Sequence, residues 1–192
     1  DGNARYLRVG GIVVVAQDLV DSLPLGVISK KQKSFIDQKA IIVENDLKFW
    51  RYIIPFVSLM LKTDFNGKVV WDYGAGDGAL GLIALRLGAK RVIAIDNDGQ
   101  ELEKARMAFS RQLKDEGKVV YLKDKEWVSH KSAPDEKAIL IQGDLKEILG
   151  NKLSEEENNI DSNLAGDDEA IVLANVGLFY KDIIFEVLAD AI

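Results

Sequence analysis

Lys68-Val69-Val70-Trp71-Asp72-Tyr73-Gly74-Ala75-Gly76-Asp77-Gly78 opens the stretch that decides the fold, which continues to Asp98. Val69, Val70 and Trp71 form a short apolar run, followed at once by a glycine-rich turn. Ala79 to Leu87 then carries Leu80, Ile83, Ala84 and Leu87 at helical spacing, and Gly88 is placed as its C-terminal cap. Val92-Ile93-Ala94-Ile95 is a second apolar run and ends on Asp96. Two almost continuously apolar strands joined by one crossover helix are parallel neighbours in a sheet covered on both faces. The stretch reads as half of a doubly wound, nucleotide-binding α/β fold.

A strand-to-helix turn that lets a ligand approach the backbone needs glycine, because a side chain would fill the ligand's space or forbid the dihedrals. Gly74, Gly76 and Gly78 supply that room. A carboxylate at the end of the next strand faces them across a crevice, where it can accept hydrogen bonds from both hydroxyls of a ribose. Asp96 takes that role. Gly74, Gly76 and Ala79 also satisfy the dinucleotide pattern Gly-x-Gly-x-x-Gly/Ala, in which a pyrophosphate rests on the helix N-terminus. Asp72 argues against that ligand, since a carboxylate two residues before the first glycine repels a pyrophosphate and suits an ammonium or sulfonium centre.

Outward from this unit the chain divides. Residues 1–44 hold β-prone runs at Val9 to Ala16, Gly26 to Ile28 and Ala40 to Val43, and are expected to form a small β-rich appendage. Residues 45–192 are expected to form the α/β domain. Leu47, Trp50, Ile54, Val57 and Leu61 predict a helix over 45–62, kinked at Pro55. Trp50 and Tyr52 read as core aromatics, with pocket lining as the alternative. A helix from about Gln100 to Lys114 buries Leu102, Ala105, Phe109 and Leu113. Val119 to Leu122 and Ala138 to Ile141 both qualify as the next strand. The second is favoured, because the polar turn Gly143-Asp144 follows it, and ligand-contacting groups collect at such strand ends. Asp144 reads either as an acceptor for an adenine amino group or as the cap of the helix Leu145 to Leu149, and the two roles are compatible. Residues 151–169, with Glu155-Glu156-Glu157 and Asp167-Asp168-Glu169, read as a flexible acidic loop. Ala170 to Ala174 is the fourth strand, followed by Asn175 and a helix over 178–192.

Composition bounds the function. The 192 residues carry 25 Lys/Arg and 31 Asp/Glu, a net charge of −6, which argues against an extended nucleic-acid surface. There is no cysteine, and the one histidine, His130, lies among lysines and is expected to face solvent, so no metal set is read. No apolar run reaches the roughly 18 residues a bilayer span requires. A cytoplasmic protein without a membrane partner is expected.

From about residue 66 to residue 190 the motif order resembles the front part of the class I S-adenosylmethionine-dependent methyltransferases. It comprises Asp72-Tyr73-Gly74-Ala75-Gly76-Asp77-Gly78, then Asp96, Asp144 and Asn175 after successive strands. Gly81 to Val92 and Leu173-Ala174-Asn175 are most similar to the ribosomal-protein lysine methyltransferases. The resemblance implies S-adenosylmethionine as cofactor, with Gly74, Gly76 and Gly78 giving room to its methionine part and Asp72 helping to hold it. Asp96 would bind the ribose, Asn97 flank the adenine and Asp144 contact its edge. Asn175 is the candidate polar group near the transferred methyl. The implied activity is methyl transfer to a protein side-chain nitrogen. An RNA or small-molecule methyltransferase and a non-catalytic cofactor-binding module stand as alternatives, and a dinucleotide-dependent oxidoreductase ranks below them. The resembled family has a Phe-Gly-Thr-Gly-x-His segment that is absent here, Asp77 replaces a small hydroxyl residue, and Asn175 lacks a following Pro-Pro. The family sheet has seven strands, whereas four strand units are read here. The expectation is a Rossmann-like sheet lacking its last strands: a fragment, a reduced fold, or one completed by association at its open edge.

Overall fold

The computed structural model describes residues 6–9, 12–16, 40–43, 53–114, 116–152, 163–165 and 169–174. β1 (Tyr6–Val9), β2 (Ile12–Ala16) and β3 (Ala40–Val43) form a small three-stranded sheet. α1 (Ile54–Met60) leads into the main unit of β4 (Val69–Tyr73), α2 (Ala79–Arg86), β5 (Arg91–Asp96) and α3 (Gly99–Leu113). β6 (Lys118–Leu122), β7 (Glu136–Gln142), α4 (Leu145–Lys152) and β8 (Ala170–Ala174) follow.

The large sheet has the order β6-β7-β5-β4-β8, and every pairing in it is parallel. The chain builds outward from β4 through β5 to β7, then returns to place β8 on the other side of β4. This reversal is the topological switch point, and in such sheets ligands bind beyond the strands' C-terminal ends near it. Those ends include Tyr73, Asp96, Gln142 and Ala174.

Side chains alternate across the sheet, so each strand feeds two cores. On one face Val70, Val92, Ala94, Ala138 and Leu140 meet α2 and α3 through Leu80, Ile83, Leu102 and Phe109. On the other, Trp71, Ile93, Ile95, Ile139 and Ile141 meet Leu145, Ile148 and Leu149 of α4. Val14 and Ile41 of the small sheet belong to the α2-side core, so that sheet packs against it.

Several expectations change in detail. The single β-prone run Val9 to Ala16 lies in two antiparallel strands, β1 and β2, on either side of Gly10-Gly11. Both candidate strands after α3 form. The favoured one, β7, pairs with β5, and β6 lies outside it as an edge strand with one partly exposed face. Pro55 sits in the first turn of α1, where a missing N–H costs nothing. The expected acidic loop 151–169 needs correction at both ends: α4 extends to Lys152, and Leu164 is wholly buried in the α4-side core. His130 does not simply face solvent, because its Nε2 lies 3.0 Å from Oε2 of the buried Glu136. Trp50, Tyr52, Asn175, the run Gly26 to Ile28 and the helix expected over 178–192 lie outside the described residues.

Arg91, at the start of β5, is buried and ties these parts together. Its guanidinium donates to the carbonyls of Glu136 (3.0 Å), Leu164 (2.8 Å) and Ala133 (2.8 Å) and to Ser132 Oγ (2.8 Å). Ser132 Oγ in turn donates to the Leu164 carbonyl at 3.1 Å. Replacing Arg91 by Met strands buried acceptors that charged donors now satisfy, and is expected to cost about 2–4 kcal/mol. The check is the urea midpoint, which should fall at an unchanged m-value.

Candidate cofactor crevice

The glycine turn leaves β4 with Gly74, Gly76 and Gly78 at φ of 69°, 54° and 75°, all in the left-handed region that only glycine adopts freely. The Gly74 and Ala75 amides both donate to the Ile95 carbonyl, at 2.9 and 3.0 Å, so the turn is folded against the end of β5. There Asp96 reaches back across the crevice. Its Oδ2 accepts the Gly76 N–H at 2.8 Å, and its Oδ1 accepts the Asp98 N–H at 2.9 Å. Each carboxylate oxygen has capacity for a further donor. Asp98 caps α3 by accepting from the amides of Gln100 and Glu101, at 2.8 and 3.2 Å.

Asp72 lies beneath this floor. It is fully buried on β4, and its Oδ2 accepts the Gly81 N–H from the first turn of α2 at 3.0 Å. The structure thus places Asp72 under the helix start, where its carboxylate fixes the angle between strand and helix. Gly81 makes that approach possible: a Cβ there would lie 2.8 Å from Val92 Cγ1 and 3.2 Å from Asp72 Oδ2. Gly78 also proves to be a packing glycine. A Cβ on it would lie 2.6 Å from Phe109 Cε2 and 3.0 Å from Ala105 Cβ, so the side a Cβ would occupy is filled by α3.

Beyond Asp96 the C-terminal ends of β5 and β7 enclose a cleft of about 280 Å³, lined by Asn97, Lys125, Trp127, Gln142, Gly143 and Asp144 among others. Asn97 and Asp144, read separately from the sequence, therefore share one cavity. Asp144 is the cap of α4, its Oδ1 accepting from the amides of Lys146 and Glu147 at 2.8 and 3.4 Å. The far wall is the crossover between β6 and β7. Trp127, on a single 3-10 turn (Glu126–Val128), is buried in the α4-side core and anchors it. Lys125 spans the cleft mouth to Glu147 at 2.6 Å.

Sequence reasoning missed Gly81, Tyr121, Trp127 and Gln142. Gly81 carried one usable signal, because a glycine inside a helix costs about 1 kcal/mol and so implies a close neighbour. Gln142 carried another, since it directly precedes the Gly143-Asp144 turn at a strand end. Tyr121 and Trp127 come to this region only through the parallel placement of β6 outside β7.

A parallel sheet with a glycine turn at its switch point, facing an acidic residue at the end of the second strand, has the architecture of a class I S-adenosylmethionine-dependent methyltransferase domain. In comparison with known proteins, residues 57–149 match the family model of ribosomal protein L11 methyltransferase (PrmA). The chain is similar to the ribosomal protein L11 methyltransferase of Marinobacter nauticus, 40% identical over 74 residues, covering 36% of this chain and 25% of that protein. It is 33% identical over 112 residues to that of Yersinia pseudotuberculosis, covering 56% of this chain and 38% of the relative. Among solved structures it is similar to a ribosomal protein L11 methylase from Lactobacillus delbrueckii subsp. bulgaricus, with 18% identity, a TM-score of 0.40, and coverage of 97% of this chain and 88% of that one. The matches to the two curated relatives thus span only a quarter to two-fifths of their length.

If Gly78 serves packing, Gly78→Ala should destabilise the fold by about 2 kcal/mol or more, through the positive φ and the contact with Phe109. Adding Phe109→Leu should relieve the contact, so the double variant loses less than the sum of the two single losses. Chemical denaturation of the four proteins in this cycle measures the coupling.

Proposed function

We propose that this chain binds S-adenosylmethionine in the crevice, and that the protein carrying it transfers a methyl group to a side-chain nitrogen of a protein substrate. The observation that carries this reading is the pair of hydrogen bonds from the Gly76 and Asp98 amides to Asp96. They hold one carboxylate rigidly at the rim of the glycine turn, with lone pairs to spare for two ribose hydroxyls. Gly74 and Gly76 would let the methionine part pass close to the backbone. Asp72 would act from below, by holding the first turn of α2 against β4. Asn97 would flank the adenine, and Asp144 would accept from the adenine amino group through Oδ2, since Oδ1 is engaged in the helix cap.

When bound, the cofactor supplies a methyl group already activated on a sulfonium, so the protein's share of catalysis is placement, exclusion of water and acceptance of the substrate's proton. Asn175, which follows β8 directly in sequence, is the proposed polar group beside the transferred methyl. The protein acceptor is favoured over RNA or a small molecule because the matched relatives are named for a ribosomal protein. A dinucleotide is disfavoured because buried Asp72 stands beneath the helix start where a pyrophosphate would rest. No helix among the described residues is long and apolar enough to cross a membrane.

Isothermal titration with S-adenosylmethionine, S-adenosylhomocysteine and reduced nicotinamide dinucleotide tests the reading. Both sulfur ligands should bind and the dinucleotide should not. Asp96→Ala should weaken binding by about 10–100-fold, the worth of one or two charged hydrogen bonds. Failure of both sulfur ligands to bind the unmodified chain overturns the proposal. Asp144→Asn offers a finer check: asparagine caps helices as well as aspartate does, so thermal stability should hold while affinity drops about tenfold.

A further inference from the structure

Gln142, the last residue of β7, lies beside Asp96 in the sheet register and lines the cleft. Its carboxamide is held from outside by Tyr121 of the edge strand β6, whose hydroxyl donates to Gln142 Oε1 at 3.1 Å. The same hydroxyl is 3.5 Å from the Gly99 carbonyl, so the Gln142 bond is the shorter. Lys123 Nζ sits 4.6 Å from the centre of the Tyr121 ring. Burial, reinforced by the charge of Glu103, raises the Tyr121 hydroxyl above its ordinary range. Gly99, the first residue of α3, leaves space for the amide: a Cβ there would lie 2.6 Å from Gln142 Nε2.

In this arrangement the Tyr121 hydroxyl is the donor and Gln142 Oε1 the acceptor. With Oε1 engaged as an acceptor, the amide NH₂ is the group's remaining hydrogen-bonding end, and Nε2 makes no hydrogen bond among the described residues. Asp144 at the same cleft offers the opposite polarity, an acceptor. Adenine presents a donor and an acceptor side by side, its amino group next to a ring nitrogen, on both of its hydrogen-bonding edges.

We infer that Gln142 is a specificity-determining residue that donates to a ring nitrogen of adenine while Asp144 accepts from the neighbouring amino group, and that Tyr121 is the positioning residue setting the amide's orientation. The inference rests on the cofactor reading of the crevice and adds to it the group that reads the base. Edge strand β6 thereby acquires a role in recognition, because its Tyr121 decides which end of the Gln142 amide faces the ligand.

The test is a binding cycle on the 192-residue chain with S-adenosylhomocysteine and its 1-deaza and 7-deaza analogues, each of which lacks one ring acceptor flanking the amino group. The unmodified chain should bind one of the two analogues about tenfold more weakly than the parent. Gln142→Leu should bind that analogue and the parent equally. Tyr121→Phe leaves Gln142 in place and should give an intermediate ratio, so the proposal remains testable if Gln142→Leu fails to fold. A structural role alone would weaken all three ligands together and leave the ratios unmoved. Unchanged discrimination in both variants, or no discrimination in the unmodified chain, overturns the inference while parent binding preserves the crevice. Failure of the parent to bind removes both.

Discussion

The hydrogen bonds that Asp96 accepts from Gly76 and Asp98 join the two loops that make the crevice, and the remaining architecture serves to bring those loops together. β4 and β5 must be parallel and in register so that their C-terminal ends finish side by side. Their pairing runs from Val69 opposite Arg91 to Tyr73 opposite Ile95, which leaves Gly74 and Asp96 as the next residues on each strand. One carboxylate can then satisfy an amide from each loop. A ladder slip of one residue would turn Asp96 to the opposite face of the sheet. The register of the two strands is therefore also what aims the polar group.

The same constraint explains why glycines recur where no ligand is expected. α2 must begin close above β4 so that its first turn can meet Asp72, and α3 must lie close beside α2. Gly81 allows the first approach, past Val92, and Gly78 allows the second, against Phe109 and Ala105. Of the three glycines in the turn, the last belongs to this packing. That division of labour was invisible in the sequence, where Gly74, Gly76 and Gly78 look alike, because it depends on which face of each residue another helix covers.

The fold was legible from residues 68–98 because buried parallel strands leave an unambiguous apolar signature and the glycine turn marks their junction. The stripe Leu102, Ala105, Phe109 and Leu113 placed α3 for the same reason, and all four are buried. What remained ambiguous was set by distance in space. His130 read as a surface residue because its partner Glu136 lies in another segment, beyond any helical or strand period. Leu164 sits in an acidic, polar stretch whose average composition signals solvent, yet Arg91 and Ser132 hold its carbonyl while its side chain enters the core. Composition averages over a window, and one anchored residue inside it disappears.

The placement of β6 shows how an edge element can shape a site without disturbing the fold. A strand outside β7 requires a crossover, and here 13 residues, 123–135, make it with only a single 3-10 turn. Such a connection lacks the long apolar stripe of a crossover helix, so it needs a separate anchor, which Trp127 provides by entering the α4-side core. The anchored crossover becomes the wall of the cleft, and the strand before it presents Tyr121 to Gln142. The inner strands are constrained on both faces by packing, which leaves little freedom to vary the site there. The edge is less constrained: β6 is half-buried along most of its length, so packing leaves its residues more freedom to serve the cleft.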